Sequence, residues 1–479
     1  MTLKRHQRVE LEKLTTNELI DYVMQLEEQF TSDSTNSSKP PSRDSAAGRE
    51  KRKAKKNTSL RRSGERKPGG QNGHPGATLR PSDKPDTQID LPLDRCPCCQ
   101  SSLSERDQTG KRTKRQVFDL PKPPPLECTQ YNSPEYHCAN CESFVHCEFP
   151  EGVNAPVQYG SRLAAWLVYM KDELLLPYKR IETFFRDLMD VPVSSATIDQ
   201  ARKRIHQNLE QWEKALIKKL IKEEVLGADE SGLRVNQDLY WLHVASTELL
   251  THYAVHEKRG KEGMDATGIL PNFKGRLIHD YLSAYLKYEQ CEHGLCNQHH
   301  LRDLKAVGEM DGQSWSGQMA EVLKSMLHRR HEHEADETRP SEEEITQWQN
   351  QYEEVLKTAE AENPLPPDPP PQPDGKKKRG RKKKGKARNL FERFRDKAEE
   401  ILVFFKDFRV PFTNNQPEQD IRMLKVQQKV SGCFRTKDGA KRFARIRSYL
   451  STMRKQKNNL FEALKAAIEG SPKSELRGS

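Results

Sequence analysis

The sequence predicts a multidomain α/β protein. At 479 residues the chain is longer than the roughly 250 to 300 residues that one hydrophobic core supports, so two to four domains are expected. Strand-like runs separated by short polar turns occupy residues 223–285, whereas helical spacing of apolar residues prevails on both sides of them. Apolar residues make up 34% of the sequence and charged residues 32%, which indicates soluble modules joined by long polar segments.

The sequence contains neither a membrane-spanning run nor an export signal. No run approaches the roughly 18 apolar residues that a spanning helix needs, and the N-terminal residues MTLKRHQRVELEK lack the apolar stretch of a signal peptide. We therefore expect an intracellular protein that makes no contact with a membrane.

The net charge of +11 is concentrated in two segments. Residues 376–388 (KKKRGRKKKGKAR) carry ten basic and no acidic side chains, and residues 43–67 carry eleven basic and three acidic ones. Such clusters favour binding to a polyanion, because neutralising its phosphates releases counterions. Flexible solubilising linkers are the alternative interpretation, but we favour contact with nucleic acid.

The N-terminal part predicts one helix followed by an irregular segment. Residues 15–30 begin with a capping box and continue with apolar residues at helical spacing, which predicts a short amphipathic, zipper-like helix within residues 1–32. This helix either pairs in a dimer or docks on a core. Residues 33–86 are basic and rich in Gly, Pro and Ser, and they predict a disordered linker.

Two cysteine pairs predict a structural Zn²⁺ site. Cys96 and Cys99 form one Cys-x-x-Cys turn, and Cys138 and Cys141 form another. In a chain without an export signal, cysteines bind metal more often than they form disulfides. Two such turns that face each other supply four thiolates for tetrahedral Zn²⁺. Residues 87–150 are therefore predicted to form a zinc ribbon, with the cysteine before Cys99 as an alternative ligand.

Residues 155–222 predict three helices and a linking helix. The second and third are separated by the short turn MDVPVS, and Ser194 or Ser195 can cap the third. This arrangement is typical of a helix-turn-helix whose third helix enters the major groove of DNA. A plain helical bundle is the alternative. In the DNA-binding interpretation the third helix contributes three cations, namely Arg202, Lys203 and Arg204.

Residues 223–310 predict the first part of a catalytic sheet. Three strands (EEVLGADESGLRV, LYWLHVAST and LLTHYAVHEK), a helix and a fourth strand (GRLIHDYLSAY) follow one another, which is how a ribonuclease H-like sheet begins. In that topology the first and fourth strands are neighbours. Asp229 ends the apolar run of the first strand and Asp280 that of the fourth, so we expect the two carboxylates to lie together. Glu230 is expected on the opposite face of the sheet.

A later helix can supply a third carboxylate. The segment NNQPEQDIRMLKVQQKVSGCFRT begins at residue 414; its Asn415 and Gln416 can cap a helix that carries Glu418 in its first turn. One interpretation is a solvated helix stabilised by an ion pair between Glu418 and Arg422. Adjacent carboxylates repel one another unless a cation joins them, and hard oxygen ligands select Mg²⁺ or Mn²⁺. We therefore favour Glu418 as a ligand of such an ion.

The interval between Asp280 and Glu418 is too long for a compact sheet domain. Residues 311–400 predict an inserted helical module that ends in a Pro-rich spacer and a Lys/Arg-rich tether. Residues 401–450 then complete the catalytic core with the helix that carries Glu418, and residues 451–479 form a C-terminal helix and tail.

Eight features follow one another in order along the chain. They are NSSKPPSRD (36–44), RKPGGQNGHPG (66–76), the two cysteine pairs, the helix-turn-helix, ADESGLRV (228–235), HDYLSAY (279–285), CNQHHLRDL (296–304) and residues 414–436. In this combination the sequence resembles the DDE transposases of the insertion sequence 66 family. It departs from the family at Cys433, where a glycine is usual, and at Asn297 and Gln298, which replace an aromatic and a small residue.

The resemblance implies a catalytic mechanism. It identifies Asp229, Asp280 and Glu418 as the acids that hold two Mg²⁺ or Mn²⁺ ions for an in-line displacement at phosphorus. Cleavage then frees a 3′-hydroxyl, which attacks a phosphodiester of the target DNA. The family also keeps a basic, DNA-binding face after the third acid, and the corresponding residues here are Arg422, Lys425, Lys429 and Arg435.

The same resemblance implies the partners of the protein. These are double-stranded DNA, as both transposon ends and target, further copies of the chain in a homo-oligomer, and small accessory proteins of the same element. A bacterial, cytoplasmic and nucleoid-associated location follows. Two other functions stay open: a non-catalytic regulator that binds DNA through its zinc ribbon and helix-turn-helix, and a nuclease without strand transfer.

The segment CEHGLCNQHH leaves a second metal site open. Its potential ligands are Cys291, His293, Cys296 and His299. The resemblance instead makes this segment a helix that flanks the catalytic sheet, where Cys296 and His299 pack or form hydrogen bonds. We favour the helix.

Overall fold

The computed structural model describes residues 79–121, 123, 125–365 and 384–478. The predicted helix at residues 1–32, most of the predicted linker at 33–86 and most of the tether before residue 384 lie outside the described residues. The described part falls into two compact units, one that ends at Glu127 and one that begins at Cys128. Each unit is described by itself.

The smaller unit has little regular secondary structure. Its single 3-10 turn in the described part, Glu105–Asp107, is closed by Ser104, whose backbone N–H and hydroxyl both donate to the Asp107 carboxylate, at 2.8 and 2.9 Å. These hydrogen bonds lower the pKa of Asp107. The unit also contains the first cysteine pair, which forms a tight loop between Arg95 and Ser102, residues joined by an isolated antiparallel bridge.

The larger unit begins with a hairpin and a group of helices. Strands β1 (Glu135–His137) and β2 (Phe144–His146) pair antiparallel around the second cysteine pair. As predicted, three helices and a linking helix follow, and the Ser194 hydroxyl caps the third by accepting from the N–H of Thr197 at 3.2 Å. The helices are α1 (Ser161–Val168, continued by the π-helical turn Tyr169–Glu173), α2 (Tyr178–Met189), α3 (Ser195–Asn208) and α4 (Glu210–Leu220).

A five-stranded mixed sheet forms the centre of this unit. The order across the sheet is β5-β4-β3-β6-β7; β3, β4 and β5 are antiparallel neighbours, whereas β6 is parallel to β3 and β7 is parallel to β6. The first and fourth strands of the sheet, β3 and β6, are therefore adjacent, as the sequence predicted. The strands are β3 (Val225–Val235), β4 (Asp238–Ser246), β5 (Thr251–His256), β6 (Arg276–His279) and β7 (Glu292–Leu295).

The predicted extent of the first strand was correct, whereas one other local prediction was wrong. Strand β3 continues to Val235, as the run EEVLGADESGLRV predicted, and its second half pairs with β4 as far as Asp238, so Asp229 lies within the strand and not at its end. The segment predicted as a flanking helix begins with a strand, since Glu292–Leu295 pairs with β6 and the helix starts only at Asn297.

Helices cover the sheet and share apolar cores with it. The region predicted as a separate insertion packs against β6 and β7: Trp315 is fully buried in one cluster with Ile278 and Leu295 of these strands. The remaining helices are α5 (Lys261–Asp265), α6 (Asn297–Met310), α7 (Ser314–Ala335), α8 (Glu342–Glu362), α9 (Lys386–Asp396), α10 (Ala398–Lys406), α11 (Asn415–Ser431), α12 (Lys437–Lys455) and α13 (Leu460–Ile468). None of the helices in the described ranges has the length and apolar composition to cross a bilayer.

A buried ion pair fixes the turn after α1 to α3. Arg202 is 4% exposed, and its Nε and Nη2 donate to the two carboxylate oxygens of Asp172 at 2.7 and 2.8 Å. The phenol of Tyr178 accepts from Nη1 at 3.0 Å. A bidentate pair of this kind is stable inside a protein only because each charge satisfies the other.

We expect Arg202→Ala to lower the free energy of unfolding by about 3 to 5 kcal/mol, because it leaves the Asp172 carboxylate buried without a partner. Urea denaturation of the purified chain measures this loss. Arg186→Ala is the matched control, since Arg186 pairs at 2.8 Å with the exposed Asp187 and surface pairs contribute about 0 to 1 kcal/mol. Equal losses for the two variants would contradict the structural role of Arg202.

Candidate active site

The two faces of β3 carry different acids. Leu226 and Ala228 pack into the core formed with α3, α4, α12 and α13, whereas Leu233 and Val235 pack against α11 and α12. Since side chains alternate along a strand, Asp229 lies on the face that α11 covers. Glu230 lies on the opposite face, as predicted.

Helix α11 packs closely against this face of the sheet at Gly227, where β3 has no side chain. A Cβ atom on Gly227 would lie 2.6 Å from Cγ of Pro417 and 3.0 Å from Oδ1 of Asn414, so only glycine permits this approach. Asn414, which is 2% exposed, donates from Nδ2 to the backbone oxygen of Ala228 at 2.7 Å. The start of α11 is thereby held one or two residues from Asp229.

Glu418 lies in the first turn of α11, as predicted, but the details of that turn differ. The helix begins after Asn414, so the N-cap position is Asn414 and not Asn415 or Gln416. In the described part of the chain Glu418 makes no ion pair with Arg422. Its Oε1 instead lies 3.8 Å from Nδ1 of His299 and 4.0 Å from Sγ of Cys296.

Asp280 directly follows β6, and its Oδ1 accepts from the N–H of Leu282 at 2.9 Å. The acids interact electrostatically. Burial of its carboxyl group, and then the negative charges of Glu230, Asp280 and Glu418, raise the pKa of Asp229 well above its ordinary value. Like charges that oppose one another's ionisation are the condition that a bound cation relieves.

Two further acids nearby have structural partners. Glu230 accepts from the hydroxyl of Tyr285 at 2.6 Å and from Nε of Arg259 at 2.9 Å. Asp420 pairs with Nζ of Lys455 at 2.7 Å and accepts from Oγ1 of Thr251 at 3.1 Å, which ties α11 to α12 and β5. Glu230 and Asp420 are thus held by short hydrogen bonds or ion pairs. Among the described residues, the side chain of Glu418 has only longer contacts, with His299 and Cys296.

Sequence reasoning missed the immediate partners of Glu418. Among the described residues, one group of three side chains could hold a metal ion, with all ligand atoms within 4.8 Å of one another. It consists of Cys296, His299 and Glu418. Asp229 interacts electrostatically with both Asp280 and Glu418, but these three acids do not meet that criterion. The Cys-x-x-His spacing at the start of α6 was visible in the sequence, but nothing local connects it to a residue 122 positions later.

The basic residues predicted after Glu418 are exposed; Arg422, Lys425 and Lys429 lie on α11, and Arg435 follows the end of that helix. Within the described part of the chain, Arg422, Lys429 and Arg435 have no ion pair or side-chain hydrogen bond. Lys425 donates to the backbone oxygen of Gly232 at 3.2 Å. Desolvation lowers the pKa of Lys425, and the negative charge of Asp229 offsets part of this effect. The basic side chains therefore follow the same helix that carries Glu418.

The cations predicted on α3 divide into two kinds. Arg202 is buried and bonded to Asp172, so its guanidinium is not available to a DNA phosphate in this conformation. Lys203 is exposed and lies 3.2 Å from Asp199, and Arg204 is partly exposed. Only Lys203 and Arg204 present their charges at the surface.

The two cysteine pairs adopt the same local conformation. In each, the N–H of the first cysteine donates at 2.9 Å to the backbone oxygen of the serine five residues later, and the residue after the second cysteine has positive φ. Hydrogen bonding to Ser101 lowers the pKa of Cys99 to about 7, and hydrogen bonding to Ser143 lowers that of Cys141. Both turns thus favour thiolates, which are the form that binds metal.

Two family models match the chain. The model of the transposase IS66 family matches residues 156–442, and a family of unknown function matches residues 3–80. The sequence has no significant match among curated proteins. The first match contains β3 through β7 and the whole of α11, and thus Asp229, Asp280 and Glu418.

We expect Gly227→Ala to lower the free energy of unfolding by about 1 to 3 kcal/mol, because the added methyl group overlaps the rigid ring of Pro417. Gly317→Ala is the control, since Gly317 is exposed within α7 and a Cβ there meets nothing within 4 Å. The control is expected to gain about 0.5 to 1 kcal/mol from helix propensity. Chemical denaturation distinguishes the two, and a neutral Gly227→Ala would show that α11 does not pack this closely.

Proposed function

Because the chain belongs to the IS66 family of transposases, we propose that it cuts DNA at the ends of an insertion sequence and joins those ends to a target. The observation that carries this proposal is the docking of α11 on β3 at Gly227, two residues from Asp229. Glu418 lies in the first turn of that helix, and its charge, like that of Asp280, raises the pKa of Asp229. The strand order β5-β4-β3-β6-β7, with β3 beside β6, is the order expected of a ribonuclease H-like core and supports it.

We propose Asp229, Asp280 and Glu418 as the catalytic acids. Their donor atoms are hard carboxylate oxygens, which suit Mg²⁺ or Mn²⁺, and the raised pKa of Asp229 fits a site that needs a cation. The divalent ions would supply activation of water and neutralisation of charge at phosphorus. The chain itself contributes the rigid placement of the acids on β3, after β6 and on α11.

The exposed cations of α11, together with Arg435 just after that helix, are proposed to hold the DNA. Arg422, Lys429 and Arg435 are free of ion pairs among the described residues, and Lys425 is close enough to Asp229 for an electrostatic interaction. A helix that carries both a metal ligand and phosphate contacts aligns the scissile phosphate with the chemistry. Lys203 and Arg204 of α3 are proposed as a second contact, in keeping with a helix-turn-helix.

The cysteine pairs are proposed to bind structural Zn²⁺. Cys96, Cys99, Cys138 and Cys141 lie in turns of the same conformation, and the second pair joins β1 to β2 as in a zinc ribbon. We further propose that the protein acts as a homo-oligomer on paired DNA ends in the cytoplasm, at the nucleoid, together with small accessory proteins of its element.

We expect Glu418→Gln to reduce both cutting and joining by at least about a hundredfold, because it removes a charged ligand of the reacting centre. The assay incubates the full chain with labelled element ends, target DNA and Mg²⁺. Glu342→Gln, at an exposed first-turn position of α8, is the matched control and should retain activity.

The products of this assay distinguish the alternative functions. DNA that is cut but never joined would identify a nuclease without strand transfer. Binding of the ends without metal-dependent nicking, unchanged by Asp280→Ala, would identify a non-catalytic regulator. Full activity of Glu418→Gln would reject Glu418 as a ligand.

A further inference from the structure

Three side chains of different chemistry converge between α6 and α11. Cys296 precedes the first turn of α6, His299 lies one turn later, and Glu418 projects from the first turn of α11. Oε1 of Glu418 is 4.0 Å from Sγ of Cys296 and 3.8 Å from Nδ1 of His299. A thiol, an imidazole and a carboxylate at such distances are a donor set that transition metals bind.

The surroundings hold these groups in place. Cys296 is 1% exposed; its N–H donates to the backbone oxygen of His279 at 3.0 Å, and its Sγ accepts from the N–H of Asn414 at 3.1 Å. The thiol is therefore fixed by β6 on one side and by the cap of α11 on the other. A site supported in this way needs little reorganisation to bind a ligand.

The imidazole of His299 supplies an independent observation. Its Nδ1 is buried and has no hydrogen-bond partner among the described residues, although it lies 3.8 Å from Oε1 of Glu418. Leaving a buried polar atom unpaired is unfavourable, and such exceptions call for a partner such as an ion. A metal bound to Nδ1 would satisfy this atom.

The distances match a tetrahedral centre after a small contraction. Ligand bonds of about 2.3 Å to sulfur and 2.1 Å to nitrogen and oxygen place sulfur and oxygen about 3.6 Å apart, and nitrogen and oxygen about 3.4 Å apart. Each observed distance is about 0.4 Å longer. Binding of an ion therefore requires the Glu418 carboxylate to move about 0.4 Å towards each of these two partners.

The other two potential ligands of CEHGLCNQHH are used elsewhere. Sγ of Cys291 donates to the backbone oxygen of Tyr288 at 3.3 Å, and the ring of His293 lies 3.0 Å from His279 and 3.1 Å from the same Tyr288 oxygen. The segment thus divides into a structural half and a half that faces Glu418. Three protein ligands leave a fourth position for water.

We propose that Cys296, His299 and Glu418 form a binding site for a thiophilic divalent ion of the Zn²⁺ class. The site shares Glu418 with the proposed active site, but it does not depend on any cleavage of DNA. An ion there clamps the start of α6 to the start of α11 and fixes one oxygen of Glu418. It also makes the proposed active site sensitive to two kinds of metal, because Asp229 and Asp280 offer only hard oxygen ligands.

The test titrates the full, metal-depleted and reduced chain with Co²⁺ in excess Mg²⁺, because Co²⁺ bound to thiolate gives a charge-transfer absorption that Mg²⁺ does not. Cys296→Ser should take up about one equivalent of Co²⁺ fewer than the unsubstituted chain. Cys291→Ser is the matched control and should lose none, because Cys291 is directed at Tyr288. Cobalt held by the other cysteines is common to all three chains.

His299→Gln provides a second reading that does not alter the thiol. We expect this variant to bind the Co²⁺ ion that Cys296→Ser loses about tenfold or more weakly, while the circular dichroism of the chain is unchanged. Equal Co²⁺ uptake by the unsubstituted chain, Cys296→Ser and His299→Gln would overturn the proposal. If the unsubstituted chain binds this Co²⁺ ion but cuts no DNA, only the proposed function is rejected. If it cuts DNA with Mg²⁺ but takes up no more Co²⁺ than Cys296→Ser, only the proposed metal site is rejected.

Discussion

The packing of the first turn of α11 against β3 is the constraint on which the candidate site depends. Pro417 occupies the space that a side chain on Gly227 would fill, and Asn414 bonds to the backbone oxygen of Ala228. Because these contacts lie within two residues of Asp229, they set where Glu418 stands. The sheet supplies the second fixed point, since β6 lies beside β3 and Asp280 directly follows its last residue.

Helix α11 combines an anchoring residue, a proposed metal ligand and proposed contacts with DNA. Asp420 anchors α11 to α12 and β5 through Lys455 and Thr251, whereas Glu418 is the residue that we propose as a metal ligand. The cations after it, from Arg422 onwards, are exposed, as their proposed contact with DNA requires. The contacts of Glu418 with Cys296 and His299 add a connection to α6, so that residues before and after the predicted insertion 311–400 meet at one carboxylate.

Local patterns predicted the elements and part of their arrangement. Three strand-like runs with short turns, a helix and a fourth run sufficed to place β3 beside β6, and Ser194 was identifiable as a cap. Contacts between distant residues were not predictable. Arg202 resembles a surface cation until its partner 30 positions earlier is known. The contacts of Glu418 with Cys296 and His299 were not predictable, because the sequence cannot show that α6 lies against the start of α11. Strand β7 was missed because four residues are too few to show a period.

The most direct test maps the bound metal onto the polypeptide. Fe²⁺ replaces Mg²⁺ in the Cys296→Ser chain, ascorbate and peroxide generate hydroxyl radicals at the ion, and mass spectrometry locates the backbone cuts. The account predicts cuts near Asp229, Asp280 and Glu418 together, all suppressed by excess Mg²⁺. Cuts near Asp229 and Asp280 with none near Glu418 would show that α11 does not complete the site.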